Sequence, residues 1–195
     1  MTEQELIQVF KERGALLDGH FRLTSGLHSN RYIQCAQVLK YPDLSAELGK
    51  QLADHFRDLK VDTVVGPAVG GIIVAQEVGR ALGVKAIFSE RVEGEMTLRC
   101  GFEISEGERV VVVEDVVTTG GSTKEVIELV KEHGGVVVGG RILSRSPQWR
   151  AGFWRTLPPT AQTHYRNIPS RRLPIMPGGL AGSEAREQEI VVVSR

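Results

Sequence analysis

The chain predicts an α/β fold, a doubly wound, mostly parallel sheet flanked by helices. Three observations carry this. Apolar strand-like runs alternate with helical stretches between residues 63 and 143. The consecutive valines Val110, Val111, Val112 and Val113 show no polar alternation, as strands covered on both faces require. Glycine-containing loops follow two of the strands, at the strand ends where open α/β sheets bind ligands.

The elements follow in order. Thr2 and Glu5 have capping-box spacing, and Leu6, Val9 and Phe10 then recur with helical period until Gly14 stops the helix. A second amphipathic helix is predicted over residues 42–56, with Leu44, Leu48, Leu52 and Phe56 on one stripe. Residues 63–66 form a short apolar strand, and a loop over residues 67–71 leads into a helix ending near Leu82. The next strand covers residues 85–89 and the third 109–114; a helix over 121–133 and a strand over 136–143 close the unit. The chain thus divides into an N-terminal helix and hood (1–35), a core (36–145) and an atypical tail (146–195).

At 195 residues and 41% apolar content the chain is long enough for one substantial core. Its 24 cationic and 24 anionic side chains cancel, which gives no electrostatic reason to expect nucleic acid or an anionic membrane as partner. The first residues, Met1 to Glu5, have no apolar segment and do not read as a signal peptide. No apolar run approaches the ~18 residues that span a bilayer. Cys35 and Cys100 make neither a disulfide framework nor a metal cluster and are expected to be reduced thiols in a cytoplasmic protein.

The segment from Glu114 to Thr123 has a chemical logic of its own. A helix start presents unpaired amides and a partial positive charge, and Gly120 and Gly121 let the backbone wrap an anion closely. Thr118, Thr119, Ser122 and Thr123 add hydroxyl donors, while Glu114 and Asp115 at the strand end can accept from a vicinal diol. A monophosphate beside a ribose fits this set. A nucleoside triphosphate would normally bring a Walker lysine, which is absent. Gly66, Pro67, Ala68, Val69, Gly70 and Gly71 form a second glycine loop, which a tight turn explains equally well when taken alone.

Glu114, Asp115, Val116, Val117, Thr118, Thr119, Gly120, Gly121, Ser122 and Thr123 together resemble the 5-phosphoribosyl diphosphate (PRPP) loop of type I phosphoribosyltransferases. The resemblance implies that Glu114 and Asp115 hold the ribose hydroxyls and residues 118–123 cradle the 5′-phosphate. It also makes the first glycine loop the diphosphate loop, with backbone contacts at Ala68, Val69 and Gly70. The string Phe21-Arg22-Leu23-Thr24-Ser25-Gly26-Leu27-His28-Ser29-Asn30-Arg31-Tyr32 resembles the hood of the orotate phosphoribosyltransferases. Orotate contacts are accordingly expected at Phe21, Thr24, Ser25, Gly26, Thr118 and Arg145.

The segment Ser89 to Phe102 occupies the place of the family's lid, which in many members carries lysines and a histidine. Here no Lys or His lies between Lys85 and Lys124, and Arg91 and Arg99 are the only cations of the segment. Arg91 is the better candidate for a diphosphate contact, although arginine is a poor general acid because it does not deprotonate. Catalytic roles are therefore expected of Arg91, Arg99 and Asp115. The implied reaction moves the phosphoribosyl group from PRPP to orotate with Mg²⁺ bound through PRPP and no direct protein metal site. A homodimer whose lid completes the neighbouring site is implied as well. Two other readings stand beside it, purine or uracil salvage on the same scaffold and a non-enzymatic PRPP-sensing regulator.

The likeness covers residues 1–140 and then fails. Beyond it lie six of the eight prolines and both tryptophans, with no sustained period until residues 190–193. When the second and third bases of each codon are read with the first base of the next, Phe153-Trp154-Arg155-Thr156 can spell Phe-Gly-Val-Pro. In the same frame Tyr165 to Met176 can spell Ile-Glu-Thr-Tyr-Pro-Pro-Asp-Asp-Cys-Pro-Leu-Cys. Both phrases resemble the C-terminal segment of short bacterial orotate enzymes. The tail therefore reads as a frameshift product beginning between Gly139 and Phe153, expected to be poorly ordered. In that frame Arg145-Ser146 can itself spell Asp-Arg, so Arg145 is an ambiguous orotate ligand.

Overall fold

Thr2 opens the first helix as its spacing predicts. Its amide donates to Glu5 Oε2 at 2.6 Å, and the Glu5 amide donates back to Thr2 Oγ1 at 3.3 Å. Helix α1 (Glu3–Glu12) buries Leu6 and Phe10 completely. The computed structural model describes residues 1–22, 28–117, 120–145 and 155–157. No helix among these is long and apolar enough to cross a membrane.

The hood is a two-stranded antiparallel sheet, β1 (Leu16–Arg22) against β2 (His28–Ile33), with a register shift between Asp18 and Phe21. A short α2 (Ala36–Leu39) leads to α3 (Pro42–Ala53), which starts with proline at its first turn, where the missing amide costs nothing. This helix ends three residues before the predicted Phe56. Tight turns continue it instead, with the Phe56 amide bonded to Ala53 O at 2.8 Å and the Leu59 amide to Phe56 O at 2.9 Å. Phe56 therefore still reaches the core, at 1% exposure.

The remaining elements alternate: β3 (Thr63–Pro67), α4 (Gly70–Leu82), β4 (Lys85–Val92), β5 (Glu95–Leu98), β6 (Arg109–Val117), α5 (Gly121–Glu132), β7 (Val136–Arg145) and β8 (Arg155–Leu157). Among the described residues the main sheet has the order β5-β4-β3-β6-β7-β8. Its four central strands are parallel, and β5 and β8 close the two edges antiparallel.

Val111 and Val113 face one core with α3 and α4, while Val110 and Val112 face a second with Val126, Ile127 and Val130 of α5. All four valines are at 0% exposure, each burial worth about 1.5–3 kcal/mol. The unbroken valine run is explained by this two-sided cover.

Several strands differ from expectation. β4 runs to Val92 rather than Ser89 because β5 folds back on it and supplies partners after β3 has ended. β6 and β7 run on together to Val117 and Arg145, paired Val116↔Ser144 and Val117↔Arg145. Three residues of the tail, where no period was found, form β8 and pair Gly140↔Leu157, Arg141↔Thr156 and Ile142↔Arg155.

Candidate active site

Sheet order reverses between β3 and β6, so the loops after these strands flank one crevice at the carboxyl edge. Both glycine loops of the sequence lie there. Strand alternation sends the two adjacent carboxylates of β6 to opposite faces. Glu114 shares the α5 face with Val112, and Asp115 the α4 and hood face with Val113.

Glu114 is buried, and its Oε2 accepts a hydrogen bond from Thr123 Oγ1 on α5. Burial pushes its carboxyl up to about 7; the Thr123 hydrogen bond pulls the other way, and the charge of Asp115 adds to the rise. Asp115 is only partly buried and is the carboxylate with access to the crevice. Burial raises its pKa too, opposed by hydrogen bonds from backbone amides. The two acids are therefore not equivalent. One is bonded to the first turn of α5 and the other is open to the crevice.

Asp115 is also where separate parts of the chain converge. A Cβ added to Gly70, the first residue of α4, would lie 2.1 Å from Asp115 Oδ2. The start of α4 and the Asp115 carboxylate are thus pressed together at a position only glycine can occupy. On the hood side, Tyr32 stacks against the buried Phe21 with ring centroids 5.6 Å apart. Burial and the nearby Asp115 push the Tyr32 hydroxyl pKa up. The Cys35 thiol lies 3.7 Å from the Asp115 carbonyl oxygen, and burial holds it well up and protonated. Removing the Tyr32 hydroxyl (Tyr32→Phe) is expected to lower kcat/KM by about 3- to 10-fold while keeping the Phe21 contact. An unchanged kcat/KM in steady-state assays would show that the hydroxyl does not serve the site.

The loop after β3 carries Ala68 and Val69, with Val69 82% exposed and the Ala68 amide donating to Ser89 O at 2.7 Å. Gly120 precedes α5 at φ 82° and brings no side-chain acceptor to the first amides of that helix. Gly121, Ser122 and Thr123 form its first turn, and Val116 and Val117 remain in β6. Thr118 and Thr119, like Thr24, Ser25 and Gly26, lie outside the described residues. The Arg145 backbone ends β7 directly across from Val117.

The lid segment is a β-hairpin. Its turn, Glu93-Gly94, has φ of 52° and 92°, and a second turn at Cys100-Gly101 has 60° and 72°, with the Phe102 amide bonded to Arg99 O at 3.0 Å. Glutamate is a poor residue in the left-handed region, where asparagine is tolerated. Glu93→Asn is expected to stabilise the chain by about 0.5–1 kcal/mol, read as a higher midpoint in thermal melts; a lower midpoint would contradict this. Arg91 and Arg99 both project from this hairpin. Arg91 lies 2.5 Å from Glu125 and Arg99 3.6 Å from Glu90. Neither the nearness of Asp115 to Tyr32 nor the pairing of Glu125 with Arg91 is legible in the sequence, since each joins residues far apart in the chain.

Residues 34–148 match the phosphoribosyl transferase domain. An orotate phosphoribosyltransferase of Pelotomaculum thermopropionicum is 57% identical over 143 residues, covering 73% of this chain and 75% of that one. The crystal structure of orotate phosphoribosyltransferase from Aeropyrum pernix superposes with a TM-score of 0.62 at 28% identity, over 73% of this chain and 82% of the other. Adenine phosphoribosyl transferase from Trypanosoma brucei, solved with AMP, pyrophosphate and ribose-5-phosphate, shares the fold at TM-score 0.55 and 17% identity, over 74% and 70% of the two chains. The chain belongs to the phosphoribosyl transferase domain family and, within it, to the orotate phosphoribosyltransferases.

Proposed function

We propose that this chain transfers the 5-phosphoribosyl group of PRPP to N1 of orotate, giving orotidine 5′-phosphate and pyrophosphate as a step of pyrimidine nucleotide synthesis. The observation that carries the reading is the contact of Gly70 with Asp115, which sets a diphosphate loop against a ribose carboxylate under an aromatic hood. Asp115 accepts from the ribose hydroxyls, the amides at the start of α4 face the diphosphate, and those at the start of α5 face the 5′-phosphate. Positive charge grows on the ribose and negative charge on the leaving group, so fixed dipoles and charges do most of the work. No covalent enzyme intermediate is needed.

A magnesium ion would be carried in by PRPP and not ligated by the protein, with the carboxylates Glu114 and Asp115 contributing negative charge that favours it. Such an ion would neutralise the diphosphate charge. Orotate is held by Phe21, Thr24, Ser25, Gly26, Thr118 and Arg145 in this reading. A homodimer in the cytoplasm belongs to the same proposal and is tested by sedimentation.

The deciding assay follows loss of orotate on adding PRPP and Mg²⁺, with adenine, hypoxanthine and uracil in parallel. Orotate turnover alone supports the reading. Turnover of another base with none of orotate would replace it with salvage. PRPP binding without turnover of any base would favour a PRPP-sensing regulator.

We propose further that residues beyond about 146 come from a shifted reading frame. The two family phrases spelled in one register support this, as does a family match that ends at residue 148. Codons that cannot spell those phrases would remove the idea. A tail of this origin was not selected to pack, so limited proteolysis should cut first within residues 147–189.

A further inference from the structure

Arg91 sits where the hairpin, the sheet edge and the phosphate helix meet. Its position on β4 is fixed by pairing with Met96. Nη1 donates to the Gly94 carbonyl in the hairpin turn at 2.9 Å, and Nη2 lies 2.5 Å from Glu125 Oε2. Glu125 stands one helical turn after Gly121, the first residue of α5 and the beginning of the phosphate-binding end. Its Oε2 is shielded from solvent and has no other partner among the described residues. If Arg91 swung away, this oxygen would be left buried and unpaired.

Stability does not account for the pair. Both side chains are nearly half exposed, at 46% and 41%, and such ion pairs add little. The hairpin is docked without it, because Met96 and Leu98 pack against the cluster that contains Val126 and Ile127 of α5. The ion pair fixes the guanidinium and not the fold. Two partners leave several of the five guanidinium donors unused.

We propose that Glu125 is a positioning residue, which with the Gly94 carbonyl holds Arg91 beside the start of α5 so that its remaining donors meet the diphosphate already oriented. The inference rests on the PRPP reading of the site. A long cation ordered before the ligand arrives loses less freedom on binding, so the benefit falls on PRPP and pyrophosphate and not on orotate.

The test uses the full chain as wild type, Glu125→Gln, Arg91→Ala and the double variant. Glu125→Gln is expected to raise KM for PRPP about 10-fold with kcat, orotate KM and melting midpoint little changed. Arg91→Ala should raise it further, and the double variant should match Arg91→Ala, because Glu125 acts only through Arg91. An unchanged or lower PRPP KM in Glu125→Gln, or effects that add in the double variant, would overturn the proposal. Calorimetric binding of magnesium pyrophosphate to the same proteins separates this from the identity of the base. Weaker binding by Glu125→Gln supports the role even if orotate is not turned over. A wild type that binds no pyrophosphate overturns both readings.

Discussion

Gly70→Ala is expected to lower kcat/KM for PRPP by about 100-fold while the chain stays folded. The added methyl would lie 2.1 Å from Asp115 Oδ2, 2.4 Å from Cγ and 2.6 Å from Oδ1, so something must move. Asp115 is a short side chain on a strand whose backbone is paired on both sides of it, Glu114↔Ile142 and Val116↔Ser144. Either the carboxylate rotates out of the crevice or the start of α4 retreats. Both separate the first amides of α4 from the Asp115 carboxylate by about an ångström, a displacement that catalytic geometry does not tolerate. The cost in stability is that of overpacking, about 1–3 kcal/mol. Asp115→Asn keeps the shape and removes the charge, and serves as the comparison. Gly70→Ala combined with Asp115→Ala should regain the melting midpoint and none of the activity. Wild-type kcat/KM in Gly70→Ala would show that the contact has no functional weight.

The core was legible because its signals are local. A valine run with glycine loops at both neighbouring strand ends admits few arrangements besides a buried parallel sheet. The hairpin of β4 and β5 was not read, and the reason is chemical. Hairpin turns with two left-handed residues normally show asparagine or aspartate before glycine, whereas here Glu93 holds that place. Strand ends were also short by two or three residues, since the length of β6 is set by the reach of β7, which no local pattern encodes.

The site divides the same way. Asp115 and the two glycine loops announce themselves in short strings, but the contact that joins them spans Gly70 and Asp115 and exists only in the folded chain. Glu114 was expected to serve the ribose as an equal of Asp115, yet the strand pleat turns it toward Thr123. Thr123, expected at the phosphate, has its hydroxyl engaged by that carboxylate. Arg91 was found from its charge, while Glu125 looked like any solvated helix residue until the hairpin was placed beside it.

Glu114→Gln is expected to make the chain more stable above neutral pH and a weaker PRPP binder. Glu114 carries a folded-state carboxyl near 7 against an ordinary value of 4.5. Between these values the folded chain binds the proton and the unfolded chain does not, so stability falls as pH rises through 7. Below about 4.5 both states are protonated and the residue costs nothing. Above about 8 the buried charge costs the wild type on the order of 3 kcal/mol, from the difference of the two pKa values. Glutamine keeps the shape and a partner for Thr123 without that charge, so the variant should melt higher at pH 8 and equal to wild type near pH 4.5. On the proposed PRPP reading, a cation brought in with the ligand would stabilise the ionised form of this buried acid and offset its cost. The variant should therefore show a PRPP KM raised about 10-fold at pH 8, with a smaller difference at pH 6, where the wild type is itself largely protonated. Equal melting midpoints at pH 8 would mean that Glu114 is not held near neutrality by burial. An unchanged KM would mean that its charge serves only the packing of α5.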